Sequence, residues 1–385
     1  MISERMIHPA DENIIRVIVI DDSAFMRKSL TLMLESDPEI KIIATARDGS
    51  EGIEKILKLK PDIVTLDIDM PGMDGLTALK IIMEQMPVPV LMVSSLTTEG
   101  AQATMQAFDL GAVDFISKDL SYVSTNIKNI KIELIEKVKQ IVRSSLIHTR
   151  FRMRRLVQSA HHKNIQIKPS HKKVSFEDIM PDFLAVVIGI STGGPQALLK
   201  MIPRLPKNFP LGIAIVQHMP PQFTRTLAER LNTISNVVVK EAEKGEHVEP
   251  GKVLIAPGGK QMTFRNGNSR IAVEISDEPK DVLYRPSVDI MMTSASAIFK
   301  GPLLGVIMTG MGKDGVEGLK LIKSKGGYVI SQDEESCIVY GMPRAAVEEG
   351  VVDSVLSLDD ISLTLDKLAA ARTQLQEPIV LPDTL

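Results

Sequence analysis

Two periodicities alternate along the first part of the chain. Nearly unbroken apolar runs occupy Ile14–Ile20, Ile40–Ala46, Asp62–Ile68, Val88–Ser95 and Ala112–Lys118. Between them, Ser23–Glu35, Ser50–Leu59, Leu76–Met86 and Ala101–Leu110 repeat their apolar positions at helical spacing. Short apolar runs are what a strand buried on both faces requires. Their alternation with amphipathic helices predicts a doubly wound parallel sheet with ligands at the carboxyl ends of the strands. The pattern resumes at Phe183–Ile188, a second buried strand, which meets Gly189, Ser191, Gly193 and Gly194 before Pro195, a residue suited to the first turn of a helix. Further buried runs, Leu211–Val216 and one starting at Leu303, make the second region α/β as well. The chain therefore divides into a domain at 14–135, a linker at 136–182, a second domain at 183–371 and a tail at 372–385.

Composition narrows the class without naming a function. The chain has 385 residues, 44% hydrophobic and 24% charged, the proportions of an ordinary globular protein with two or three cores. A net charge of -3 gives no electrostatic reason to expect nucleic acid. Tryptophan is absent and aromatics are 4%, which argues against a stacking platform for single strands. A single cysteine, Cys337, excludes an intramolecular disulfide and a cysteine-rich zinc site and fits a reducing cytoplasm. No apolar run is long enough to span a bilayer and no signal-peptide core is visible, so a cytoplasmic protein is expected. From Lys137 to Phe176 there is no Asp or Glu, while Arg and Lys accumulate, a composition that reads as a solvated basic linker.

Candidate chemistry gathers at strand ends. Asp21 and Asp22 follow the first run, Asp67 ends the third, Ser94 ends the fourth and Lys118 closes the fifth. Converging carboxylates are costly unless a hard cation or a lysine compensates them, which points to a Mg²⁺ site; singly, each acid would serve equally well as a helix cap. With the segment Asp67-Ile-Asp-Met-Pro-Gly-Met-Asp-Gly75, residues 14–135 resemble a two-component receiver domain. The resemblance implies a flavodoxin-like fold and phosphorylation of Asp67 by a histidine kinase. It further implies Mg²⁺ on Asp21, Asp22 and Asp67, contacts to the phosphoryl group from Ser94 and Lys118, and a switch aromatic at Phe115. Receivers usually carry proline after this lysine, and here Asp119 follows.

In the second domain, Gly189 to Gly193 fits G-x-S-x-G in strand–turn–helix context, a turn that lifts a serine hydroxyl clear of the sheet edge. Such a serine needs a neighbouring base, and His218, directly after the run Leu211–Val216, falls on the same rim. Thr192 to Gln217 contains no Asp or Glu, so the acid that orients His218 should follow it. Asp314, in a glycine-rich turn after the strand from Leu303, is the candidate, and it would also suit the N-cap of the next helix. The same lack of acids disfavours a dinucleotide-binding turn, which needs a ribose-binding carboxylate about 20 residues on.

Gly-Ile-Ser-Thr-Gly-Gly-Pro, Gln-His-Met-Pro, Arg285-Pro-Ser-Val-Asp289, Thr309-Gly-Met-Gly-Lys-Asp-Gly315 and Tyr340-Gly-Met-Pro-Arg344, behind a receiver, resemble the chemotaxis methylesterase (CheB) family. That resemblance implies a catalytic triad of Ser191, His218 and Asp314, an oxyanion donor at the Met311 N–H, and Thr192 helping to hold the histidine. It implies hydrolysis of glutamate methyl esters on methyl-accepting chemoreceptors, with glutamine deamidation, needing no cofactor for hydrolysis. It implies control by phosphorylation of the receiver from a chemotaxis kinase, and a monomer with no nucleic-acid partner. The competing class is a response regulator whose output domain only docks a partner. A DNA-binding output is disfavoured by the lack of a basic helix-turn-helix region.

Overall fold

The computed structural model describes residues 14–118, 130–144, 183–267 and 270–376. Asp119, residues 145–182 of the expected linker and residues 377–385 of the expected tail lie outside the described residues. The chain falls into two compact units, 1–149 and 150–385.

The first unit is built on five parallel strands, β1 (Ile15–Ile20), β2 (Ile40–Ala46), β3 (Ile63–Asp67), β4 (Val90–Ser94) and β5 (Asp114–Ser117), in the order β2-β1-β3-β4-β5. All five residues of β3 and of β4 are buried, which is why these segments read as apolar runs rather than as alternating patterns. The helices α1 (Ala24–Leu34), α2 (Gly49–Leu59), α3 (Gly75–Gln85) and α4 (Thr98–Leu110) start where Ser23, Asp48, Asp74 and Thr97 accept hydrogen bonds from N–H groups of the first turn. A further helix, α5, is described over 130–144. With every pairing parallel, the carboxyl ends of β1, β3, β4 and β5 share one edge of the sheet.

The second unit contains a seven-stranded parallel sheet: β6 (Ala185–Ile190), β7 (Gly212–Gln217), β8 (Val238–Glu241), β9 (Lys252–Ile255), β12 (Leu304–Ile307), β13 (Tyr328–Gln332) and β14 (Ser354–Leu356), ordered β14-β13-β12-β6-β7-β9-β8. Its helices are α6 (Gly194–Met201), α7 (Phe223–Ile234), α8 (Val288–Ile298), α9 (Val316–Ser324), α10 (Met342–Glu348) and α11 (Leu358–Gln376). An antiparallel hairpin of β10 (Gln261–Asn266) and β11 (Ile271–Ser276), absent from the expectation of a plain doubly wound domain, is inserted between β9 and α8. His247, in the stretch that leads into β9, bridges to Ala272 of this hairpin.

Strand β6 starts two residues later than the apolar run that announced it, because Leu184 is half exposed and its N–H is taken by Pro302 O. It is flanked by β7 on one side and β12 on the other. Successive connections leave β6 in opposite directions here, so the β6–β12 boundary is the topological switch point at which α/β sheets open a crevice.

Candidate functional site

In the first unit, oxygens of Asp21, Asp22 and Asp67 all lie within 4.8 Å of one another at the strand-end rim. Asp21 and Asp67 are buried and Asp22 is exposed. Lys118 Nζ sits 2.5 Å from Asp67 Oδ1 and 3.5 Å from Asp21 Oδ2. Burial raises the Asp67 carboxyl to about 6 in spite of its hydrogen bond from Lys118. Burial also raises Asp21, with Lys118 opposing. For Lys118 itself burial acts downward, and its bonds to Asp67 and Asp21 prevail and raise it. One ammonium thus faces two buried carboxylates, and the negative charge is under-compensated.

The other residues of this rim are placed differently. Ser94 Oγ is turned into α4, 3.1 Å from Gly100 O and 3.0 Å from Thr104 Oγ1, and among the described residues no hydrogen bond joins it to Asp67 or Lys118. Phe115 is buried edge-to-face on Phe108, with ring centroids 6.3 Å apart. Lys137 of α5 donates to Phe115 O at 2.7 Å, pairs with Asp114 Oδ2 at 3.1 Å and lies 5.5 Å from the Phe115 ring centre. Nothing in the spacing of the chain pointed to Lys137. Its buried ion pair with Asp114 emerges only when α5 packs on β5.

A linkage prediction follows for Asp67. Its folded value near 6 lies above the ordinary 3.8, so the folded state binds the proton more readily than the unfolded state. The stability associated with this group is therefore greatest below pH ~4 and declines as pH rises through ~6. In chelator-containing buffer, wild type should lose stability relative to Asp67→Asn across that window. Parallel denaturation curves for the two proteins from pH 4 to 7 would show the carboxyl is not destabilised by burial.

In the second unit three strand ends meet. Ser191 follows β6 in a turn where Gly193 adopts φ +77, a conformation that opens the way into α6 without a Cβ clash. The turn is tied down on all sides: Ser191 N–H donates to Thr309 O at 2.9 Å, and Ser191 O accepts from Gln217 Nε2 at 3.0 Å and from Gly194 N–H at 2.8 Å. Thr309 Oγ1 donates to Thr192 O at 2.8 Å, and Thr309 N–H donates to Gln332 Oε1 at 2.9 Å. Gly310 is close enough to the Ser191 turn that a Cβ there would sit 2.7 Å from Ser191 Cβ. This explains the glycine after Thr309 at the end of β12.

His218 follows β7, and its Nε2 lies 2.8 Å from Asp314 Oδ2. Asp314 stands at the N-terminus of α8 rather than capping its own helix α9, whose N-cap is Gly315 with no side-chain bond. Its Oδ1 accepts from Ser287 Oγ and the Asp289 N–H, both at 2.9 Å, and its Oδ2 accepts from the Val288 N–H at 2.7 Å. Asp289 returns the exchange, accepting from the Gly318 N–H of α9 at 2.8 Å. Burial acts to raise the Asp314 carboxyl, but the bond from His218 and the backbone donors outweigh it and hold the group below its ordinary range. The neighbouring Asp289 is raised instead, by burial first. An ionised Asp314 only accepts, so His218 Nε2 carries a hydrogen and Nδ1 is left as the basic lone pair. That Nδ1 is buried and has no hydrogen-bond partner among the described residues.

The Ser191 hydroxyl makes no hydrogen bond to His218 or to any other described residue, and no bond from the Thr192 hydroxyl reaches His218; Thr192 is held instead through its carbonyl. The N–H groups of Thr192 and Met311 donate to no acceptor among the described residues; Thr192 follows Ser191 directly, and Met311 follows Gly310, which abuts the Ser191 turn. Gln217, Ser287 and Thr309 were quoted above only as motif letters. The structure gives them work: Gln217 spans the Ser191 and His218 carbonyls, Ser287 caps α8 and holds Asp314, and Thr309 joins β12 to the Ser191 turn. The serine before Val288 could have been read as an N-cap, but its second partner, 27 residues away, could not.

A family model described as CheB methylesterase matches residues 186–365, and one described as response regulator receiver domain matches residues 17–125. The chain is 50% identical over 359 residues to protein-glutamate methylesterase/protein-glutamine glutaminase 1 of Oleidesulfovibrio alaskensis, covering 90% of this chain and 97% of that relative. A Nitratidesulfovibrio vulgaris protein of the same name, numbered 2, is 47% identical over 360 residues, covering 91% of this chain and 98% of its own. The Pyrococcus abyssi protein-glutamate methylesterase/protein-glutamine glutaminase is 46% identical over 351 residues, covering 91% and 92%. With identity of this order sustained across both units, the chain belongs to the CheB methylesterase family and carries a response regulator receiver domain ahead of its methylesterase domain.

Proposed function

We propose that the protein hydrolyses glutamate methyl esters on chemoreceptors, releasing methanol, and deamidates receptor glutamines by the same acyl transfer. The observation that carries this reading is the His218–Asp314 pair, whose free Nδ1 is buried on the rim that bears the Ser191 turn. His218 Nδ1 takes the Ser191 proton as Oγ attacks the ester carbonyl, and Asp314 holds the opposite nitrogen and stabilises the imidazolium. The N–H groups of Met311 and Thr192 donate to the developing oxyanion. His218 returns the proton to the departing methoxide. It then activates the water that frees the carboxylate. The order of bonding is reversed relative to the usual template, in which the acid binds Nδ1 and Nε2 serves the nucleophile. The tautomer fixed by Asp314 makes the two arrangements equivalent as base catalysis.

Regulation is assigned to the receiver. Asp67 accepts the phosphoryl group from a histidine kinase, with Lys118 countering the added charge and Ser94 and Phe115 reporting it. The acidic rim suits a divalent cation, since among the described residues the buried Asp67 Oδ2 has no hydrogen-bond partner and Asp21 Oδ2 meets only the Lys118 ammonium, at 3.5 Å, and both are hard oxygen ligands. Asp21, Asp22 and Asp67 would hold Mg²⁺, whose charge, when bound, offsets that of the carboxylates and the incoming phosphoryl oxygens. Phosphorylation raises hydrolysis only if it favours the active arrangement of the protein over the restrained one. A cytoplasmic monomer acting on the cytoplasmic face of its receptors fits this reading.

The test is methanol release from methylated receptor membranes with and without a small phosphodonor and Mg²⁺. A rate that climbs with phosphodonor in wild type and stays flat in Asp67→Asn is expected. Equal stimulation of both proteins would remove the regulatory assignment and keep the esterase. An absence of methanol under every condition would leave a docking output domain.

A further inference from the structure

Tyr284 belongs to none of the motifs that marked the site, yet its ring lies flat against the His218 imidazole, with centroids 4.3 Å apart and planes 4° apart. The His218 side chain is 9% exposed and, among the described residues, is hydrogen-bonded at one ring atom only, Nε2, by Asp314. A single hydrogen bond at one ring nitrogen leaves the imidazole free to tilt about that bond, and tilting would move Nδ1 off the nucleophile. A parallel ring in contact with its face removes that freedom.

The tyrosine is itself held in place. Its carbonyl accepts from Gln261 Nε2 at 3.0 Å, while Gln261 Oε1 accepts from the Ser287 N–H at 2.9 Å. Gln261 is fully buried, and the next carbonyl, Arg285 O, accepts from the Gly259 N–H at 3.0 Å. At the ring's far end, a Cβ on Gly312 would sit 2.9 Å from Tyr284 Oη. The phenol therefore reaches from the imidazole to the loop that bears Met311 and Asp314. The same buried glutamine that sets Tyr284 also sets Ser287, the hydroxyl donor to Asp314. Ring, acid and cap are placed by one support.

We propose that Tyr284 is a positioning residue for hydrolysis: its ring face keeps the imidazole plane fixed. Its electron-rich face also stabilises the imidazolium formed when His218 takes the serine proton. The role belongs to the ring face and not to the hydroxyl. It acts after substrate has bound, so it is felt in kcat. The proposal rests on the assignment of Ser191, His218 and Asp314 made above.

The test is steady-state methanol release by the full chain, with thermal melting of each variant. Tyr284→Phe keeps the face and should retain kcat within about threefold. Tyr284→Leu keeps the bulk without the face and should lower kcat about tenfold or more, with KM within about twofold. Should Tyr284→Leu melt below the assay temperature, Tyr284→Met supplies the same comparison. A Leu or Met variant with wild-type kcat overturns the proposal, as does a Phe variant that loses as much as Leu, or a loss confined to KM. Ser191→Ala is measured alongside. Turnover by that variant would overturn the underlying assignment, whereas a dead Ser191→Ala beside a fully active Tyr284→Leu removes only the role of Tyr284.

Discussion

Replacing Ser191 by alanine is expected to lower ester hydrolysis by at least about a thousandfold while leaving stability within about 0.5 kcal/mol of wild type. The two halves of this expectation come from different atoms of the same residue. The backbone of Ser191 is structural: its N–H and carbonyl bind Thr309, Gln217 and Gly194, and alanine retains all of these bonds. The hydroxyl is not structural, because it makes no hydrogen bond to another described residue and is partly exposed on its turn. Methanol release and thermal melting read the two halves separately. A fully active variant would remove Ser191 as nucleophile. A badly destabilised one would mean that the hydroxyl supports the turn.

Asp314→Asn should behave differently, losing both rate and stability. The carboxylate accepts from His218, Ser287, Val288 and Asp289, so it serves the base and the first turn of α8 together. An amide turns one accepting oxygen into a donor, facing N–H and O–H groups that are themselves donors. Orphaning such buried groups costs about 1–3 kcal/mol each, so an overall loss of about 2–4 kcal/mol is expected. The rate should fall by roughly 10⁴, because the imidazole tautomer that exposes Nδ1 as a base is no longer enforced. The pH dependence has a definite sign. The folded carboxyl is held below its ordinary 3.8 by His218 and the α8 donors, so the stability it contributes is present above that value and fades as pH falls below it. Acid denaturation should be shallower in Asp314→Asn than in wild type. A variant that kept wild-type stability with a depressed rate would separate the two roles and show that Ser287 alone secures α8.

How much of this was legible beforehand differs between the two sites. On the receiver rim, Asp21, Asp67 and Lys118 could be placed from the chain because each ends a buried run, and parallel strands bring all such ends to one edge. The direction of the Ser94 hydroxyl, into Gly100 and Thr104, could not, because it depends on how α4 packs. On the second rim, the G-x-S-x-G turn and the histidine after Leu211–Val216 were visible as local patterns. The acid was reached by eliminating segments without carboxylates, and its partners remained hidden. Ser287, Val288 and Asp289 lie 25 to 27 residues before Asp314, and no local periodicity encodes a contact of that range. The hairpin of β10 and β11 was missed for a related reason: its two strands interrupt a strand–helix rhythm that dominates on either side.

The sequence by itself determined the two α/β units, the rim on which each candidate residue lies and the strand–turn–helix setting of the G-x-S-x-G segment. These follow from strand burial and from turn chemistry, both of which are local. Only the tertiary structure decided which imidazole nitrogen Asp314 engages, that the acid is held by a helix other than its own, and that Tyr284 lies across the face of His218. Each of these depends on packing between segments far apart in the chain, where side-chain direction and distance, not spacing, set the chemistry.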